Sequence, residues 1–525
     1  MKSYDAVIIG AGPNALVNAA YLTKAGWSVV VLEKHNRPGG GLRTEALTLP
    51  GFVHDVYAGF LILFAASQAA ADFGGDLAAR GLEMLHSTKP AGVSMPGGRA
   101  SLLTTSMEEN MAEAERLAPG DGGAWLDMLS TMGPLAPQIF GLLAMDLSSP
   151  AAQGMIKGLM LTEDGSGPSA FAHTFLTSAR TFLESQFKSE VFRGLLAPWV
   201  FHTGHGPEEA NSGFWDQVFA MGCQQAGQFV AKGGAENMAK ALVRLVEDQG
   251  GEIVTNAAVT RVDVENGKAV GVTTTDGTQY RANRAVITST NPDQLYLKLL
   301  GDDAVSPSIK KQAGQYRYGH SVMAIHLAMN EPPRWHDERL NDVIYTHICD
   351  GLDGVSRNFN ETTRRLLPAD PVVGVGTPTL LDPDRAPEGK AVMVLQVLDV
   401  PYTFHGDAAG QIDVGDGTWT DEVANAFADR IFEIVGKHIV NFKDAVLARH
   451  IITPADLADA NPNWVNGDPY SGSHDISQSF LLRPIAGQPA YQTPVSNLFM
   501  IGAATHPGLG LGSNSGFVVA QHLLK

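Results

Sequence analysis

Residues 5–33, DAVIIGAGPNALVNAAYLTKAGWSVVVLE, hold the reading that decides the fold. The apolar run 6–9 predicts a buried strand. Gly10, Gly12 and Ala15 follow as G-x-G-x-x-A, with Pro13 and Asn14 between them. Residues 14–24 predict a helix, and residues 28–32 a second apolar strand that ends at Glu33. Each small residue has a mechanical reason. Gly10 permits the tight turn, Gly12 lets backbone approach a pyrophosphate, and Ala15 lets helix pack on strand. The helix start then presents its positive dipole end to phosphates. Glu33, about 20 residues on, is placed to accept both hydroxyls of an adenosine ribose. The glycine pattern alone is weak. With strand, turn, helix, strand and acid in order, it predicts an α/β, Rossmann-type unit.

The next residues narrow the dinucleotide to FAD. After Glu33 come Lys34, Arg37, Gly39, Gly40, Gly41, Leu42, Arg43 and Thr44. R-x-G-G after the ribose acid marks FAD proteins of this fold. Three glycines give a backbone that lies against pyrophosphate and flavin without side-chain clash. Arg37 and Arg43 add positive charge near the phosphates. A distant segment points the same way. Residues 497–502 (NLFMIG) read as a short strand ending at Gly502. Ala503, Thr505, His506, Pro507 and Gly508 follow, then Gly510, Leu511, Gly512 and a helix over 517–524. This is a second helix start facing an anion. The expected cofactor is FAD, held non-covalently.

These boxes, with Gly233-Gly234 between them, resemble the phytoene desaturase-like branch of the flavin amine oxidase superfamily. The resemblance is close at both ends and in the middle, and thin over 77–223 and 308–460. One departure is that Leu509 and Leu511 interleave with Gly510 and Gly512, where the family often has glycines directly after His-Pro-Gly. The resemblance implies a glutathione reductase-like FAD domain interleaved with an α+β substrate domain. It also implies that Val259 lies beside the adenine and binds through its backbone. The expected FAD domain is 1–73, 228–292 and 488–525; the substrate domain is 74–227 and 293–487. Within the middle segment, residues 235–249 predict a helix. Residues 253–254, 258–264, 269–275 and 285–288 predict strands, with turns at Asn266-Gly267 and Asp276-Gly277.

Composition bounds the partners. A net charge of −18 argues against nucleic acid and anionic membrane surfaces. Cys223 and Cys349 give neither a disulfide framework nor metal spacing. A strand beginning by Asp5 leaves no room for a signal peptide, and the strongest apolar run, 56–66, is shorter than the about 20 residues that span a bilayer. The expectation is a cytoplasmic protein. Peripheral membrane contact and a homodimer stay open.

Flavin accepts the hydride itself, so the protein supplies position, field and a base. His506, in the flavin-proximal box, leads the catalytic expectations; His54 and Tyr57, with Asp55 and Arg43, follow the R-x-G-G. His202 and His205 (FHTGHG) read as core or solvated histidines, since no third metal ligand stands nearby. No metal is expected. Tyr470, His474 and Asp475 lie in a polar loop and are not ranked. The run 57–64 (YAGFLILF) reads as core or as one wall of an apolar substrate tunnel. The expected reaction forms a C=C bond in a small apolar or cyclic substrate by hydride transfer to flavin N5, with O2, a quinone or another acceptor taking the electrons. The rivals are a flavin amine or alcohol oxidase, an FAD-dependent isomerase, and a flavin-bound protein without turnover. An amine oxidase calls for an aromatic cage, which the 8% aromatic content does not signal. Gly374-Val375-Gly376 lacks a following helix and acid-ended strand, so no second dinucleotide unit is expected.

Overall fold

The computed structural model describes residues 2–161, 167–508 and 512–525. The opening motif folds as read: β1 (Lys2–Ile9), α1 (Pro13–Lys24), β2 (Val29–Leu32). Gly10 takes φ +88°, and a Cβ there would lie 2.4 Å from Ser289 Oγ. Helix α1 is buried from Asn14 to Thr23, because it packs between the sheet, α2 (Glu236–Asp248) and α3 (Asn514–Leu523). The approach to α3 is closest at Gly516, where a Cβ would sit 2.0 Å from the Asn14 carbonyl oxygen.

The first sheet has five parallel neighbours in the order Leu498–Met500, Gln279–Thr288, β1, β2, Glu252–Val254. Its register pairs Val7 with Val286 and Val30, and Val31 with Ile253. Val259–Glu265 and Lys268–Thr274 extend it antiparallel. Gln279–Thr288 begins six residues before the expected 285. Its first half alternates buried and exposed positions, so Arg281, Asn283 and Arg284 face water and hide the strand from an apolar search.

The second sheet runs Val446–Ile452, Ser321–Met329, Ala391–Val400, Val373–Gly376, Tyr345–Ile348, Ala91–Met95, Arg99–Leu103. Strand alternation divides its faces. Ile325, Leu327, Leu395 and Val397 pack on the helix Asp421–Val435 through Phe427 and Ile431. Val322, Ala324, Gln396 and Leu398 take the opposite face. Residues 107–226 add a helical layer around Trp125, Phe192, Trp199 and Met221. Residues 373–376 are a strand followed by the short turn Pro378–Leu380, not a dinucleotide unit. No helix among the described residues is long and apolar enough to cross a membrane.

Candidate functional site

The carboxyl ends of the first sheet open onto a cavity of about 330 Å³. In open α/β sheets this is where ligands bind. One part of the wall comes from the first sheet: Gly12, Pro13, Asn14, Ala15, Gly40, Gly41, Ser289, Gly502 and Ala503. The facing part comes from the second sheet and the helical layer, with Trp199, His202, Phe219, Tyr345 and Leu398. Tyr57, Phe60, Asn463 and Trp464 also line it. The run 57–64 is therefore both wall and core, since Leu61 and Phe64 point into the interior.

The wall on the first sheet fits a dinucleotide. A Cβ at Gly12 would meet nothing within 4 Å, so the backbone there borders open space. Helix α1 has no side-chain cap and no acidic residue in its first turn. Its amide dipoles are left for an external anion. Glu33, 7% exposed, closes β2 and accepts from Ala11 N at 2.8 Å and His35 N at 2.9 Å. Backbone bonds from Asn256 and Ala257 to His35 and Glu33 draw the segment leading to Val259 alongside.

Other expected contacts fall elsewhere. Glu33 and Val259 lie outside the cavity lining, as do Gly10, exposed Lys34 and buried Leu42. Arg37 and Arg43 were expected beside phosphates, but both turn to Glu45; Arg37 also meets Glu236 at 3.7 Å. Gly510 and Leu511 lie outside the described residues. Gly512 sits against Leu63 and Asn514, off the cavity wall.

The catalytic expectations separate. Tyr57 reaches the cavity and packs edge-on against Trp464, ring centroids 4.8 Å apart; burial raises its hydroxyl pKa while Arg43 opposes the shift. His54 instead borders a separate void of about 20 Å³ and shares a hydrogen bond with Thr48 Oγ1 at 2.8 Å. His506 is not brought to the cavity. Its Nε2 donates to Leu142 O at 3.0 Å, and Tyr491 Oη holds its carbonyl at 3.0 Å. The turn folds its ring into the protein, toward Phe480.

The histidine that does reach the cavity is His202. Its Nε2 pairs with His347 Nε2 at 3.0 Å, and its ring stacks on Trp199 with centroids 4.7 Å apart. Burial pushes the His202 pKa down to about 3, and that of His347 well below the usual value. Both imidazoles are neutral at physiological pH. The signal was present in YTHI: Tyr345 and His347, two apart on a strand, share a face. The glycines of Gly374-Val375-Gly376 also find their purpose here. A Cβ at Gly374 would meet Tyr345 Oη at 2.0 Å, and one at Gly376 the Phe60 ring at 2.9 Å. They seat two aromatic walls. A modest overall aromatic content hid their concentration at one site.

The chain matches the family described as flavin containing amine oxidoreductase over residues 16–513. It belongs to that family. This flavin-dependent oxidoreductase is 26% identical to a limonene dehydrogenase polypeptide of Castellaniella defragrans, over 100% of this chain and 95% of the other. It is 24% identical to a lycopene-forming phytoene desaturase of Paracoccus sp., over 96% and 94% respectively. The resemblance to phytoene desaturases thus extends through the stretches where motifs were thin. Cyclohexylamine oxidase from Brevibacterium oxydans shares the fold, with a TM-score of 0.60, 16% identity, and 99% and 98% coverage of the two chains.

Proposed function

We propose that the protein is an FAD-dependent dehydrogenase that removes two hydrogens from adjacent carbons of a compact, uncharged substrate to form a C=C bond. One observation carries this reading. Among the described residues, no Asp, Glu, Lys or Arg lines the cavity. A charged group entering it would lose its hydration without gaining a partner, whereas Phe60, Trp199, Phe219 and Leu398 suit an apolar skeleton. The relatives named a limonene dehydrogenase and a phytoene desaturase support the same bond chemistry.

Bound flavin supplies the two-electron acceptor. Glu33 favours FAD over FMN, because its partner is the adenosine ribose. Non-covalent attachment is supported by the absence of cysteine from the described lining; both cysteines are buried, and burial pushes their thiols up to about 12. Segments 1–73, 228–292 and 488–525 form the FAD-binding part in this reading, and they supply every strand of the first sheet.

His202 is the proton acceptor. Its Nδ1 has no hydrogen-bond partner among the described residues. In the tautomer where His202 Nε2–H donates to His347, Nδ1 carries a free lone pair. A proton taken at Nδ1 is matched by transfer of the Nε2 proton to His347. The positive charge then rests one ring farther from the substrate. Trp199 and Tyr345 hold both rings in place.

The test is anaerobic mixing of the yellow protein with limonene, a cyclic ketone, a carotenoid, a retinoid and benzylamine in turn. The expected result is bleaching by one of the uncharged compounds and a product two hydrogens lighter, with none by NADH or NADPH. Bleaching by benzylamine alone, or an isomeric product of unchanged mass, overturns the reading.

A further inference from the structure

Arg483 is 1% exposed and makes every one of its hydrogen bonds to a backbone carbonyl. Nε donates to Ala503 O at 3.1 Å, and Nη1 to Ser473 O at 2.9 Å. Nη2 donates to Ala503 O at 2.8 Å, and to Tyr470 O and Gly472 O, each at 3.3 Å. Among the described residues no carboxylate forms an ion pair with it. Arg385, equally buried, has two such partners, Asp55 and Asp382. A guanidinium stays charged at any physiological pH. A buried charge without a counter-charge carries a large desolvation cost that carbonyl dipoles offset only in part.

The neighbouring ionisable groups do not supply the missing anion. Asp468 is fully committed to the amides of Gly319, Tyr470 and Gly472, and burial holds its carboxyl above the usual range against the pull of Arg483. His474 lies near Arg483, and burial keeps its imidazole neutral. What lies on the other side of the carbonyls is the cavity. Tyr470, Ser471 and Ala503 all line it, beside Gly502 and Ser289 at the carboxyl end of the first sheet.

We propose that Arg483 is a fixed positive charge, one peptide thickness behind the cavity wall, that raises the electron affinity of the flavin bound there. The proposal rests on the flavin reading above. Reduction adds negative charge to the ring. A buried cation that cannot lose its proton favours that charge in a low-dielectric surround. Arg483 is thus a positioning and tuning residue rather than a catalytic one.

Sulfite reads this potential without any substrate, because its addition to oxidised flavin leaves negative charge on the ring and bleaches the yellow band. The experiment titrates the flavin-loaded protein with sulfite and measures its two-electron midpoint potential, for the wild type, Arg483→Gln and Arg483→Lys. Arg483→Gln keeps donors but removes the charge. It is expected to weaken sulfite binding at least tenfold and to lower the midpoint by about 30 mV, tenfold in the electron-transfer equilibrium. Arg483→Lys is expected to stay within about threefold of wild type, since it restores the charge. Equal sulfite affinity in wild type and Arg483→Gln overturns the proposal, as does a loss in Arg483→Lys as large as in Arg483→Gln. If Arg483→Gln fails to load flavin, the wild type decides: a midpoint at or below that of free FAD overturns the proposal, and one above it, retained in Arg483→Lys, supports it. A protein purified without flavin overturns the underlying reading as well. Flavin-loaded protein with no charge effect overturns this proposal alone.

Discussion

Arg385 Nη1 meets Asp55 Oδ2 at 2.5 Å, with the arginine side chain fully buried. The same guanidinium reaches Asp382 at 2.8 Å and the carbonyl of Ala231 at 2.6 Å. Asp55 in turn accepts from the Ala235 amide at 2.6 Å and Thr44 Oγ1 at 2.9 Å. Gly233 N donates to Asp382 at 2.6 Å, and Gly234 takes φ +115° because a Cβ there would strike Thr44. The paired glycines read from the sequence are one side of this junction. Removing one partner of a buried pair leaves an uncompensated charge, at about 3–5 kcal/mol. Arg385→Ala is expected to lower the denaturation free energy by that amount. A loss below about 1 kcal/mol, the range of a surface pair, would contradict it.

Two glycine substitutions are expected to fail in different ways. At Gly12 an added side chain meets only open space, so Gly12→Val should keep the fold and lose flavin. At Gly516 a Cβ would lie 2.0 Å from backbone, so Gly516→Ala should destabilise the protein with or without flavin. Melting curves of flavin-free protein separate the cases. A destabilised Gly12→Val apoprotein would show that the Gly12 space is not open.

The two histidine sites also make opposite forecasts. His202→Gln should slow flavin reduction by substrate about 10²–10⁴-fold, as loss of a general base does, at full flavin content. His506→Ala should lower stability by about 1–3 kcal/mol, since it leaves the Leu142 carbonyl without its donor, while the surviving holoenzyme reduces normally. Single-turnover stopped-flow kinetics, normalised to flavin content, decide between them.

Burial lowers the pKa of His54, His205 and His506 to about 4, and that of His326 to about 3. All sit below the unfolded value of about 6.5. Between those limits the unfolded chain binds more protons, so the contribution is complete above about pH 6.5 and drains away as pH falls toward 4. Each histidine adds a slope of about 1.4 kcal/mol per pH unit. The melting temperature should fall steeply from pH 7 to pH 5. An unchanged value at pH 5 would falsify the assignment of these histidines as neutral in the fold.

The nucleotide-binding half was legible because its constraints are local. Gly10, Ala15 and Glu33 sit within one strand–turn–helix–strand unit, and backbone geometry fixes what each position tolerates. The cavity was not legible in the same way. Trp199, His202, Tyr345, His347 and Trp464 come from separate elements, and their meeting depends on how the second sheet lies over the first. His506 misled because a motif fixes the backbone course but not where a side chain points. Arg37 and Arg43 misled because Glu45, close in sequence, competes for both.

The order of the first sheet sets a schedule for synthesis. Gln279–Thr288 is flanked by β1 on one side and by Leu498–Met500 on the other. A ribosome adds about 5–20 residues per second, so the gap from residue 288 to residue 498 takes roughly 10–40 s. For that interval the nascent sheet presents an unpaired parallel edge, and α1 lacks the cover of α3. The newborn chain is thus an obvious client for chaperones. Flavin can settle against Gly502 and Ala503 only after translation is nearly over, which makes cofactor loading the closing event of maturation.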